Sequence, residues 1–167
     1  KTPDGQKELG DTIWLGFSFL FPEGNTAKES ITFCQFHMGK NPDKGNKGPY
    51  LALRLLPDNK LELRRRTVVT GVQKTINHSM GEYSKNKWFD VVLNIKFSTT
   101  EGFIKGWINN NNFIDITGRT IGEDSLDKAA FLKIGQYIPD WRMREYKSLV
   151  QEFFINSFRY ANKNSSF

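Results

Sequence analysis

Two polar side chains, Gln35 and His37, sit inside the apolar stretch ITFCQFHMG at residues 31–39. Side chains alternate along a strand, which puts Ile31, Phe33, Gln35 and His37 on one face and Thr32, Cys34 and Phe36 on the other. Cys34 and Phe36 suit a core, so Gln35 and His37 are expected on the open side of the sheet. The same rule applied to FLKIGQY groups Phe131, Lys133, Gly135 and Tyr137 against Leu132, Ile134 and Ile138. Lys133 and Tyr137 then stand roughly 13 Å apart along their strand, at the usual rise. Gly135 between them leaves a gap through which a ligand reaches the sheet surface. Arg54, Arg64 and Arg66 also point outward if the leucines beside them fill the core. Singly these residues are ordinary: a lone His on a strand is more often a satisfied surface or core residue, and one Arg is a solvated charge. Together, a sheet face with several Arg, a Lys, a Gln, a His and a Tyr suits a carboxylated or sulfated chain, held by bidentate ion pairs and hydrogen bonds. His37 adds a group that exchanges protons near neutral pH.

Strands must position these groups. Alternating or apolar segments occur at 12–21, 31–38, 50–56, 61–69, 88–98, 102–109, 113–118, 130–138 and 150–160. PDNK turns 50–69 into a hairpin, and the asparagines after Ile108 turn 88–118 into a three-strand meander. Residues 70–86 are polar and weakly patterned and read as a long loop. Residues 119–128 read as another loop, with room for one helical turn. Strand spacing without a long 3.6-residue period predicts an all-β antiparallel sandwich or jelly roll, one domain over residues 1–167.

Composition narrows the function classes. With 167 residues, including 14 Phe, 4 Trp and 5 Tyr, the chain has enough apolar material for a real core and is too aromatic for disorder. No apolar run approaches the roughly 18 residues of a membrane span, so no membrane partner is expected. Cys34 is the single cysteine, which excludes an intrachain disulfide. The net charge of +6 favours anionic partners: nucleic acid, an anionic membrane surface or an acidic polysaccharide. No signal peptide is visible and Lys1 is not Met, which reads as a processed or trimmed start. Asn77-His78-Ser79 and Asn164-Ser165-Ser166 match the glycosylation pattern, which also arises by chance. His37 and His78 lack partners at metal-ligand spacing, so no cofactor is required. A surface calcium on Asp or Asn oxygens has no recognisable loop to hold it.

The order of WLGFSFLFP, QFH, PYLALR, LELRR, KWFDVVLNIKFS, GWINN and FLKIGQY resembles the polysaccharide lyase group that includes heparin lyase I and glucuronan lyase. The resemblance spans residues 8–138 and the final strand. It implies a concanavalin-like jelly roll that cleaves a uronic-acid polysaccharide by β-elimination. It further implies that His37, Tyr137 and Lys133 form the catalytic site, with Gln35, Arg54, Arg64 and Arg66 binding substrate. Family members carry an Arg-x-Glu element where this chain reads Gln6-Lys7-Glu8, and strands upstream of it, so the jelly roll is expected to lack N-terminal strands here. Some sandwich lyases hold a structural calcium. The substrate class implies a secreted monomer acting on an acidic polysaccharide. Two alternatives stay open: a non-catalytic carbohydrate-binding module or lectin on the same sandwich, and a single-stranded nucleic-acid binder. The second is disfavoured because most Trp and Phe residues are assigned to core faces.

Overall fold

The computed structural model describes residues 6–7, 11–23, 30–38, 48–122, 130–137 and 152–162. The strands, in chain order, are β1 (Gln6–Lys7), β2 (Thr12–Leu20), β3 (Ile31–Met38), β4 (Pro49–Leu56), β5 (Lys60–Val69), β6 (Val72–Glu82), β7 (Trp88–Lys96), β8 (Gly102–Ile108), β9 (Asn111–Gly118), β10 (Ala130–Tyr137) and β11 (Phe154–Asn162). They form two antiparallel sheets, a six-stranded one in the order β1-β10-β3-β4-β5-β6 and a five-stranded one in the order β11-β2-β7-β8-β9. This is the expected all-β sandwich.

Alternation explains the layering. On β2 the residues Ile13, Leu15, Phe17 and Phe19 are buried while Trp14 is exposed. On β7 the buried set is Phe89, Val91, Leu93 and Ile95. From the other sheet, Phe33, Phe36, Leu51, Leu53, Leu55, Leu61 and Leu63 close the core. Phe33 meets Phe17, Phe19 and Phe21 at ring-centroid distances of 6.5, 4.8 and 5.9 Å, so one β3 side chain ties the layers together. Full burial of such a side chain contributes about 1.5–3 kcal/mol.

The turns follow their chemistry. Asn109 and Asn110 both take positive φ, 47° and 67°, the geometry of a two-residue hairpin that asparagine tolerates. Pro57 opens the β4–β5 turn, with Asp58 and Asn59 at φ of 62° and 59°. The segment 70–86 is not a loop. Thr70 and Gly71, at φ of 48° and 78°, make a hairpin into the 11-residue strand β6, which pairs along β5 from Val69↔Val72 to Lys60↔Glu82. Residues 119–122 are without strand, and 123–129 lie outside the described residues. No helix among the described residues is long and apolar enough to cross a membrane.

Candidate active site

Strict alternation misplaces the first three residues of β3, Ile31, Thr32 and Phe33. Opposite β4, Thr32 pairs with Arg54 but Cys34 pairs with Leu53, so Phe33 is an extra residue bulged into the ladder. Phe33 and Cys34 both face the core, and Thr32, not Phe33, joins Gln35 and His37 on the outer face. A second irregularity lets Tyr50 and Leu51 both turn inward, returning Pro49 to the outer face opposite His37. β10 carries a third between Ile134 and Tyr137, where Gly135 has φ 146°. Bulges re-aim side chains at the cost of local pairing, and here three of them cluster around the polar residues.

Register then sets the neighbours on the outer face of the six-stranded sheet. Lys133, Gln35, Ala52, Arg64 and Asn77 form one row across five strands. Tyr137, Thr32, Arg54, Glu62 and Ser79 form the row beside it. On the far side of the first row, Phe131 pairs with His37 and His37 with Pro49. His37 and Tyr137 therefore share one face and bracket the Gln35–Lys133 pair.

A pocket of about 210 Å³ opens on this face, lined by Thr32, Gln35, Pro49, Ala52, Arg54, Arg64, Arg66, Gln73, Thr75 and Tyr137. All four residues expected to bind substrate are in its wall. Tyr137 is half exposed. His37 packs beside the pocket, its ring 5.6 Å from that of Phe131, and the Lys133 ammonium lies 5.0 Å from the centre of the same ring. Phe131 thus spaces the imidazole from the ammonium, a contact that the sequence reading did not assign.

The arginines are not the solvated charges that the isolated sequence suggests. Arg54 is buried, its Nη1 donating to Glu62 Oε1 at 2.8 Å and its Nη2 to Ser30 Oγ. Burial, and then the charge of Arg64, pull its pKa below the ordinary guanidinium value, while Glu62 opposes them. Arg66 is also buried, its guanidinium carbon 5.8 Å from the centre of the Tyr50 ring. Arg64 keeps 40% of its side chain exposed, with Nε donating to Asn77 Oδ1 at 3.2 Å and lying 3.6 Å from Glu62 Oε1. One carboxylate among three guanidiniums leaves the pocket positive.

Sequence reasoning missed Thr32, Glu62, Gln73 and Thr75. Thr32 is displaced by the bulge, and Gln73 and Thr75 lie on the strand read as loop. Asn77, in one of the glycosylation patterns, belongs to the same rim through Arg64. Trp141 and Arg142, which follow Tyr137 closely in the sequence as a candidate floor for a sugar subsite, lie outside the described residues, as does Asn164. Among the described residues no three His, Cys, Asp or Glu side chains gather as metal ligands.

The model of a family described as polysaccharide lyase matches residues 2–158. No curated protein matches the chain. Among solved structures, the endo-β-1,4-glucuronan lyase of the fungus Trichoderma reesei superposes with a TM-score of 0.72 at 20% identity, over 95% of this chain and 69% of that one. Alginate lyase A1-II′, of polysaccharide lyase family 7, gives 0.68 at 13% identity, over 96% and 66%. An alginate lyase of Pseudomonas aeruginosa gives 0.65 at 12% identity, over 92% and 66%. At these identities the likeness establishes the shared sandwich, and the chain spans about two thirds of the length of each structure.

Proposed function

From the premise that the chain belongs to the polysaccharide lyase family, we propose that it cleaves a uronic-acid polysaccharide by β-elimination on the outer face of the six-stranded sheet. The observation that carries the reading is the row geometry: Tyr137 and His37 on either side of Gln35 and Lys133, beside a wall of three arginines.

The chemistry explains why such residues are needed. The C5 proton of a uronate is weakly acidic because its removal places negative charge beside an existing carboxylate. Fixed donors on the carboxyl group offset that charge as it develops. Gln35, Lys133 and Arg64, which share one row of the outer face, carry N–H donors suited to this. A base then takes the C5 proton, the C–H pair becomes the C4=C5 double bond, and the C4–O bond breaks. An acid gives its proton to the departing oxygen. His37 and Tyr137 are the pair for these two transfers. Which takes and which gives follows from whether the hydrogen and the leaving oxygen lie on the same side of the ring. Similarity of fold to a glucuronan lyase and to alginate lyases favours glucuronan or alginate as the polymer. Such polymers are extracellular, so the protein is expected to act outside the cell, as a monomer.

The test is incubation with glucuronan, alginate and heparin-type polymers, following far-ultraviolet absorbance of the unsaturated uronate. Product from at least one polymer is expected. Binding to a polymer without product would replace this reading with a non-catalytic carbohydrate-binding module.

A further inference from the structure

The proposed reaction uses one side of the sandwich; the opposite side carries aromatic rings that the core does not need. Trp14 on β2 and Trp107 on β8 stand on the outer face of the five-stranded sheet with β7 between them. Their rings are 13° from parallel with centroids 6.2 Å apart. Trp14 is 43% exposed and Val92 is 37% exposed. Beside Trp14 comes Gly16, whose missing side chain opens a hollow of about 260 Å³ bounded also by Val92 and Arg159. Register places Gly16 directly between Val92 on β7 and Arg159 on β11.

Exposing this much apolar surface forfeits about 25 cal/mol for each Å² that stays wet. A contiguous patch with a hollow beside it marks a binding surface. Its chemistry selects the occupant. The electron-rich faces of indole rings attract the slightly positive axial C–H groups of a pyranose. Arg159, which makes no ion pair among the described residues, stands across the hollow from Trp14, and Lys96 and Lys105 share the face. Two acids of this face are engaged, Asp90 accepting from Ser18 Oγ and Asp115 lying 3.7 Å from Lys105, while the charge of Asp11 acts on Tyr160 at the edge of the hollow. A flat apolar wall facing a free guanidinium suits a sugar ring that carries a carboxylate. A second copy of this chain suits it less, because both partners would bring a net charge of +6.

We infer that the Trp14–Gly16–Arg159 hollow is a second, non-catalytic binding site for an acidic polysaccharide, which holds the protein on its polymer while the other face acts. The inference rests on the uronate reading of the substrate, and its test separates the two. Gly16→Val fills the hollow and leaves Trp14 in place. A Cβ at Gly16 meets only Val91 O, at an ordinary 3.9 Å, so the backbone there has room for a side chain to begin. Trp14→Ala removes the wall. Retention on immobilised alginate and glucuronan is measured for both variants, beside kcat/KM on a soluble tetrasaccharide and sedimentation velocity.

Retention is expected to fall about tenfold in each variant, equivalent to roughly 1.4 kcal/mol. Turnover of the short substrate should stay within about twofold, since no tetrasaccharide reaches both faces. Turnover of the long polymer should drop several-fold. If Trp14→Ala misfolds, Gly16→Val alone decides. Unchanged retention in Gly16→Val overturns the inference and leaves the lyase reading standing. A dimer that Gly16→Val abolishes without changing retention also overturns it, in favour of self-association. Lost retention in the variants, with no product from any polymer, overturns the lyase reading and leaves the second site.

Discussion

At the residue scale the pocket separates cations that build from cations that bind. Arg54 and Glu62 satisfy each other under cover, with side chains only 8% and 11% exposed. Arg54→Ala leaves the buried Glu62 carboxylate with only the 3.6 Å approach of Arg64 and should cost about 3 kcal/mol, read as a fall in Tm. Arg64 is held only at its edge, so Arg64→Gln should leave Tm nearly unchanged and raise KM about tenfold on the polymer substrate. Equal Tm losses in the two variants would contradict this division of labour. For the chemical step, His37→Ala and Tyr137→Phe should each lower kcat by about 100-fold or more, while retention on the polymer is largely kept. A Tyr137→Phe variant with wild-type kcat would remove Tyr137 from the proposed acid/base pair.

At the element scale the bulges decide which side chains reach the pocket. Without the extra residue at Phe33, Thr32 and Gln35 could not share a face, because they are three positions apart. β6 carries no strand signature in its sequence for a related reason. Its outer face contributes Gln73 and Thr75 to the pocket, and its inner face carries Lys74, Ile76 and His78 at the sheet edge, so no apolar alternation marks it as a strand. Its turn, Thr70-Gly71, puts a β-branched residue at positive φ, which turn chemistry argues against. Close packing at the other sheet gives a sharper test. A Cβ at Gly102 would lie 2.5 Å from Lys96 O and 2.5 Å from Thr120 Oγ1, the hydroxyl that donates to Lys96 O. Gly102→Ala should destabilise by about 1–3 kcal/mol in denaturant unfolding, whereas Gly16→Ala, on open sheet, should cost far less. Equal midpoints for the two variants would refute the packing account.

At the scale of the whole molecule, burial sets the pH window of stability. The Cys34 thiol, fully buried, is pushed up to about 12. Tyr160 is raised to about 12 by burial and then by Asp11, and burial also raises Tyr83. The folded state holds these protons after an unfolded chain has released them, so stability should decline as pH rises above about 9. His78 is lowered by burial and by Arg65. An unfolded chain takes up its proton first, so stability should also decline as pH falls below about 6.5. Tm is expected to be highest between these limits, and His78→Leu should flatten the acidic side. A Tm that rises from neutral pH to pH 10 would contradict the assignment of the buried phenols and thiol.

The sequence by itself determined the sandwich, because period-two alternation in WFDVVLNIK and through Leu51, Leu53 and Leu55 marks one inner face for each strand. It also determined that Arg54, Arg64 and Arg66 face away from the leucines. Tertiary structure alone decided that Thr32 rather than Phe33 lines the pocket, that Arg54 is tied to Glu62, and that a polar segment is the edge strand carrying Gln73 and Thr75. The physical reason is common to all three. Alternation is a property of one strand, whereas a bulge, an ion pair and an edge are settled by what the neighbouring strand presents.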